Sequence, residues 1–131
     1  MVKIENVATI YGTIYSNEDT VGDAIALYLS KPGAPPRSSL YITTKIRGLS
    51  PGETVEDSLR GSLRKLRLDY VDMYLIHFPT AFEGRLAEVW KGMEEVQKLG
   101  LAKSIGVSNW RGKRLYTIFC FWILVNVVYV Q

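Results

Sequence analysis

The strongest constraint on the fold is a regular alternation of helix-like and strand-like segments along the chain. Three helix-like segments carry apolar residues at spacings of three and four, and they begin near Ser16, Ser50 and Leu86. Three strand-like segments rich in β-branched, aromatic and other apolar residues follow them in turn, at residues 40–46, 70–76 and 102–107. Parallel strands need long crossover connections, which are usually helices, so this order predicts an α/β fold with a parallel sheet.

Each helix-like segment carries its own start signal or apolar face. The first is predicted over Ser16–Leu29, with Ser16 or Asn17 as the N-cap and an apolar face formed by Val21, Ala24, Ile25, Tyr28 and Leu29. Glu18 and Asp19 suit the positive end of that helix. The second follows an expected capping box at Ser50–Glu53 and buries Val55, Leu59, Leu63 and Leu66. The third places Leu86, Val89, Trp90, Met93 and Val96 on one face and ends before Gly100.

The length and composition narrow the class of protein further. A closed eight-fold β/α barrel needs roughly 250 residues, whereas this chain has 131. The net charge is +3 with scattered basic residues, which argues against a nucleic-acid partner. The single cysteine excludes an intramolecular disulfide, and no metal-ligand spacing is present, so we expect a cytoplasmic protein without a metal. The N-terminal residues also lack the pattern of a secretory signal.

Polar residues with chemical potential follow the predicted strands at one end. Lys45 lies at the end of the first strand, His77 follows the second, and Ser108 and Asn109 follow the third. Because parallel strands in such units share one carboxyl edge, we expect these side chains to lie close together, and in barrels this edge carries the catalytic groups. Each also has an ordinary interpretation: a solvated lysine, a core histidine and turn residues.

Four segments of the chain resemble one known family, the aldo-keto reductases. They are YSNEDTVGDAI (15–25), ITTKI (42–46), LDYVDMYLIHFP (68–79) and KSIGVSNW (103–110), in the family's order and spacing. The resemblance covers about residues 14–110 and implies part of a (β/α)8 TIM barrel, with three to four parallel strands and no closure. Upstream, Ile10 stands where the family has an aspartate that pairs with the lysine, and the family's first barrel strand has no counterpart.

The resemblance also implies roles for individual residues. Tyr15 would be the general acid, Lys45 would favour its phenolate, and His77 would orient the substrate carbonyl. Ser108 and Asn109 would hold the nicotinamide of NADPH. Phe78 and Trp110 would line the substrate pocket, although both are equally well explained as core aromatic residues. The implied activity is NADP-dependent reduction of aldehydes, ketones or open-chain sugars, with hydride transfer to a small carbonyl substrate.

The sequence leaves other interpretations open. The family's phosphate-binding segment has no match in this chain, and neither GxGxxG nor a P-loop replaces it. A truncated, inactive chain that acts through a partner or a membrane is therefore the alternative. A partial barrel also leaves open sheet edges, which predicts self-association.

The last 21 residues form a separate apolar segment, residues 111–131. Our preferred interpretation is a non-family tail that follows a partial barrel domain at residues 1–110. Residues 123–130 have high β propensity, so a buried strand is a second interpretation. A membrane span is disfavoured because residues 115–130 would reach only about 24 Å as a helix.

Overall fold

A computed structural model describes residues 17–109 in full, together with the backbone of two short strands, residues 7–9 and 127–130. The described residues form one sheet of five parallel strands in chain order. The strands are β1 (Val7–Thr9), β2 (Tyr41–Ile46), β3 (Val71–Ile76), β4 (Ala102–Ser108) and β5 (Val127–Val130). The helices are α1 (Glu18–Leu29), α2 (Val55–Leu66) and α3 (Leu86–Lys98). The partial α/β barrel predicted from the sequence is confirmed, and the two short outer strands raise the strand number above the expected three to four.

The core lies between the sheet and the helices. All six residues of β3 are buried, which confirms the burial on both faces that its apolar run predicts. The predicted face of α2 is buried in full, and so are four of the five predicted residues of α3. Alternate residues of the strands, among them Ile42, Ile46, Tyr74 and Ile76, join this helix-side cluster. Met73 and Leu75 are buried but stand outside the cluster, since they occupy the opposite face of β3.

The start of α2 differs from the sequence prediction. Ser50–Glu53 forms a turn, in which the Glu53 carboxylate accepts the Ser50 N–H at 2.8 Å. The capping box lies four residues later, where the Thr54 hydroxyl accepts the Asp57 N–H and the Asp57 carboxylate accepts the Thr54 N–H, each at 3.1 Å. The predicted box was wrong because aspartate as well as glutamate can close this motif, and the turn at Gly52 (φ +81°) delays the helix.

Helix α1 also differs from its prediction in its start and in its buried face. It begins at Glu18 after Asn17, and the Asn17 side chain makes no capping hydrogen bond. Ile25 is buried, but Tyr28 is 39% exposed. The reason is a close approach of α1 to the end of α2 at Gly22, where an added Cβ would lie 2.9 Å from the Leu66 Cα. The helix therefore packs on the side of Gly22 and Ile25 and turns Tyr28 outward.

One buried carboxylate ties together the amino ends of the central strands. Asp72 accepts hydrogen bonds from the Ile42 N–H at 2.9 Å, from Arg37 at 2.9 Å and from Lys103 at 3.0 Å. Both cations also lie 4.3 Å from the ring centroid of Tyr70. Burial by itself would raise the pKa of the Asp72 carboxyl, but these hydrogen bonds outweigh it and hold the pKa below its usual value.

Most of the apolar tail lies outside the described residues. Val127–Val130 forms β5, which pairs with β4 in parallel through Ile105↔Val127 to Ser108↔Val130. This agrees with the strand interpretation of the segment. Among the helices that the structure describes, none has the length and hydropathy to cross a bilayer.

Candidate active site

The residues predicted from strand ends meet at one edge of the sheet. Lys45 is the penultimate residue of β2, His77 follows β3 directly, and Ser108 ends β4. The strands are neighbours, and their registers align Lys45 with Leu75 and Leu75 with Gly106. His77 and Ser108 each lie two residues beyond those aligned positions, so the carboxyl edge brings the predicted residues together.

Lys45 occupies the face of β2 that points away from the helices. Its neighbours Thr44 and Ile46 are buried on the helix side, whereas Lys45 is half-buried on the other face. Burial lowers the pKa of the Lys45 ammonium, because the charged form loses hydration there. A lysine with a lowered pKa and a half-buried position is suited to act on a neighbouring titratable group.

His77 is held firmly by its backbone and its ring. Its N–H donates to the Ile46 carbonyl at 2.9 Å, and its ring stacks on Phe78 with centroids 4.1 Å apart. The side chain is buried, and Nδ1 has no hydrogen-bond partner within residues 17–109. Burial, followed by the positive charges of Lys45 and Arg47, lowers the pKa of His77. The imidazole is therefore neutral at pH 7, with one nitrogen able to donate a hydrogen bond.

Asn109 connects the ends of β3 and β4. It adopts the left-handed conformation (φ +60°), which asparagine tolerates better than most residues. Its amide nitrogen donates to the His77 carbonyl and to the Ser108 hydroxyl oxygen, each at 3.0 Å. The Ser108 hydroxyl proton and the Asn109 Oδ1 are not used in these two bonds. One donor and one acceptor thus stand side by side beside His77.

Two residues near this edge have contacts or charge effects that the sequence did not predict. Glu18 was assigned to the helix dipole, but it is 3% exposed, accepts the Thr44 hydroxyl at 3.0 Å and lies 3.6 Å from Lys65. It anchors the first turn of α1 to β2 and α2. Arg47 follows the residue whose carbonyl accepts the His77 N–H, and its charge acts on the imidazole. Its position two residues after Lys45 is the only sequence signal for it. Long-range pairing of this kind leaves no local pattern.

The remaining predicted site residues are less well placed. Phe78 is 38% exposed and stacks on His77, so it is not a fully buried core residue, and its role as a wall of a substrate pocket stays a prediction. Tyr15 and Trp110 lie outside the described residues, and so does Ile10. Their assigned roles therefore stay predictions.

Comparison with known proteins identifies the family to which the chain is similar. The profile described as the aldo/keto reductase family matches residues 2–129, a range that extends beyond residues 14–110 on both sides. An aldo-keto reductase of Mycolicibacterium vanbaalenii is 45% identical over 102 residues, which are 77% of this chain and 35% of that protein. Methylglyoxal reductase DkgA of Escherichia coli is 43% identical over 97 residues, 74% of this chain and 33% of the enzyme. The chain thus spans about a third of the length of these curated relatives.

Solved structures give the same result for the fold. The Bombyx mori aldo-keto reductase AKR2E4, determined in complex with NADP, superposes with a TM-score of 0.80 at 32% identity. The alignment covers 95% of this chain and 42% of that structure. Aldose reductase from Giardia lamblia also superposes with a TM-score of 0.80, at 26% identity and 47% coverage of that structure. The sheet and helices described above therefore correspond to part of a TIM barrel.

Proposed function

The chain belongs to the aldo/keto reductase family, and we propose that it takes part in NADPH-dependent reduction of small aldehydes, ketones or open-chain sugars to alcohols. The observation that carries this proposal is the meeting of Lys45, His77, Ser108 and Asn109 at one sheet edge. This is the edge at which TIM barrels place their catalytic groups. NADPH would supply the hydride, and the chain's own residues would position the carbonyl and provide the proton.

Tyr15 is the proposed general acid, with Lys45 as the group that activates it. A phenol has a pKa near 10, and a nearby ammonium favours the phenolate, so it lowers the pKa towards the working range. The position of α1 supports this pairing. Glu18 accepts a hydrogen bond from Thr44, the residue before Lys45, and Tyr15 precedes Glu18 by three positions in the sequence.

His77 is the proposed orienting group for the substrate oxygen. A neutral imidazole can donate one N–H to a carbonyl without competing for the proton that the tyrosine must deliver. The lowered pKa supports this role, because burial and two cations keep the ring uncharged at neutral pH. The stack with Phe78 and the backbone bond to Ile46 restrict its position.

Ser108 and Asn109 are the proposed ligands of the cofactor's nicotinamide. A carboxamide presents one carbonyl acceptor and one amino donor, so it needs a donor and an acceptor side by side. The Ser108 hydroxyl proton and the Asn109 Oδ1, which the two hydrogen bonds of the Asn109 amide nitrogen leave unused, have this complementarity, so the residues present fit the group. Phe78 and Trp110 are the proposed walls of the adjoining substrate pocket.

A fluorescence titration of the purified chain with NADPH tests the proposed function. Saturable binding at micromolar concentrations, followed by carbonyl-dependent loss of NADPH absorbance, would support it. Tyr15→Phe should abolish turnover and leave NADPH binding intact, because the ring stays and only the hydroxyl is lost. The proposal would fail if the chain bound no NADPH at millimolar concentration, or if Tyr15→Phe reduced carbonyls as fast as the parent chain.

A second candidate function is a non-catalytic role through association with another chain. It is favoured by the sheet order, in which no pairing joins β1 to β5 among the described strands. An open parallel sheet leaves unpaired edges that a second copy or a full-length relative would cover. Sedimentation measurements of the chain alone and mixed with such a relative would test this, and a monomer in both samples would exclude it.

The non-family origin of residues 111–131 likewise stays a prediction, which spliced transcript reads across residue 110 would test.

A further inference from the structure

Arg47 is a charged residue at the carboxyl edge to which the proposed function assigns no role. It follows the last residue of β2, and the Ile46 carbonyl before it accepts the His77 N–H at 2.9 Å. Arg47 therefore leaves the sheet at the point where His77 leaves β3. On the other side, the Asn109 amide nitrogen donates a hydrogen bond to the His77 backbone carbonyl. Arg47 thus follows β2 on one side of His77, and Asn109 contacts His77 from the end of β4 on the other side.

The positive charge of Arg47 is not neutralised by any side chain among residues 17–109. The side chain is half-buried, and within residues 17–109 it forms neither a hydrogen bond nor an ion pair that would neutralise it. Its charge nonetheless reaches the imidazole, because it contributes to the lowered pKa of His77. The other charge acting on His77 is that of Lys45, so both are positive. A half-buried guanidinium without a carboxylate partner is a favourable binding group for an anion.

We propose that Arg47 binds a carboxylate on the substrate, so that the site prefers anionic carbonyl compounds over neutral ones. The inference rests on the proposed function for the identity of the site and adds the class of substrate. The aldehyde carbon would accept hydride from NADPH and its oxygen a proton, which yields the alcohol and NADP⁺. The carboxylate takes no part in the chemistry. It would accept two parallel N–H bonds from the guanidinium while the carbonyl lies at His77.

Two matched aldehydes separate this preference from binding in general. Para-carboxybenzaldehyde carries a carboxylate, and its methyl ester is a neutral compound of similar shape. The chain has one histidine, so the imidazole proton signals in an NMR spectrum belong to His77. Titration of each aldehyde against these signals measures binding at the site without cofactor or turnover. Since charge-assisted hydrogen bonds are the stronger class, the carboxylate should bind about tenfold or more tightly than the ester.

Three variants complete the test. Arg47→Gln should abolish the difference in affinity between the two aldehydes. Arg47→Lys should restore part of that difference, because lysine supplies a point charge. Arg64→Gln removes the same charge from the exposed end of α2 and should keep the difference, which controls for net charge. Circular dichroism of each variant would confirm that it is folded before the titrations are compared.

The outcomes separate the proposed substrate class from the proposed activity. A carboxylate preference that depends on Arg47 supports the inference even if NADPH is not consumed, in which case only the proposed activity fails. Turnover of both aldehydes at equal rates, with equal affinities, would support the activity and overturn the inference. The inference is also overturned if neither aldehyde shifts the His77 signals, or if Arg64→Gln removes the preference as fully as Arg47→Gln.

Discussion

Replacement of Asp72 by asparagine should destabilise the fold far more than the same change in an exposed ion pair. The carboxylate is buried and bonded to Arg37, Lys103 and the Ile42 N–H. Asparagine keeps the shape but leaves Arg37, whose side chain is 18% exposed, without its counter-ion. Breaking a buried pair in this way typically costs 3–5 kcal/mol, and the exposure of Lys103 reduces that figure, so we expect about 3 kcal/mol.

Asp23→Asn provides a matched control for this prediction. Asp23 pairs with Arg67, and their side chains are 59% and 60% exposed. Solvent screening limits such a pair to at most about 1 kcal/mol. Urea unfolding followed by tryptophan fluorescence at pH 7 gives the unfolding free energy of each variant. Equal losses for Asp72→Asn and Asp23→Asn would refute the reasoning that burial makes the Asp72 cluster strong.

The destabilisation by Asp72→Asn should also depend on pH in one direction. Because the folded-state pKa of Asp72 lies below its unfolded value of about 3.9, the carboxylate contributes its full stability above that value. The contribution is lost as the pH falls through the folded-state pKa. The difference in unfolding free energy between the parent chain and Asp72→Asn should therefore be constant from about pH 7 to 5 and shrink below about pH 4. A difference that grew on acidification would contradict the assignment.

Further predictions concern the helices and the candidate site. Gly61→Ala should raise the unfolding free energy by about 1 kcal/mol, because only the Arg64 side chain lies near its added Cβ, at 3.9 Å. Gly22→Ala should lower it by about 1–3 kcal/mol through overlap with α2. The same urea assay would check both, and a gain at Gly22 would contradict the close approach. Thr54→Ala should cost about 1 kcal/mol through the lost N-cap, with circular dichroism showing fraying of α2. NMR titration of His77 should give a pKa below 6.5 that rises when Lys45 is changed to methionine. An unchanged pKa would show that the Lys45 charge does not act on His77.

Several elements of the fold could be predicted because their causes are local in the sequence. The apolar spacing of α2 places its four leucine and valine residues on one face, and the structure buries all four. The largely apolar sequence of β3, with Asp72 as its one charged residue, indicates burial on both faces, as found. The predicted capping box failed because two adjacent motifs, residues 50–53 and 54–57, compete as the start of the helix, and the local pattern does not rank them.

The candidate site was predictable in position because topology alone determines where strand ends lie. Once parallel strands and right-handed crossovers are inferred, Lys45, His77 and Ser108 must reach the same edge. Their contacts were not predictable. The bonds from Asn109 to His77 and Ser108 depend on a left-handed backbone conformation, and the charge of Arg47 acts on a residue thirty positions away.

The sequence by itself determined the periodicities, the order of strands and helices, and the resemblance that points to the family, because each depends on residues close together in the chain. The tertiary structure decided what distant residues do to one another. Glu18 contacts β2 through Thr44, the close packing at Gly22 leaves Tyr28 exposed, and Asp72 binds Arg37 and Lys103. Such burial and proximity arise only when separate elements pack together. The charge that Arg47 presents beside His77 belongs to the same class of feature, because it exists only where two neighbouring strands end together.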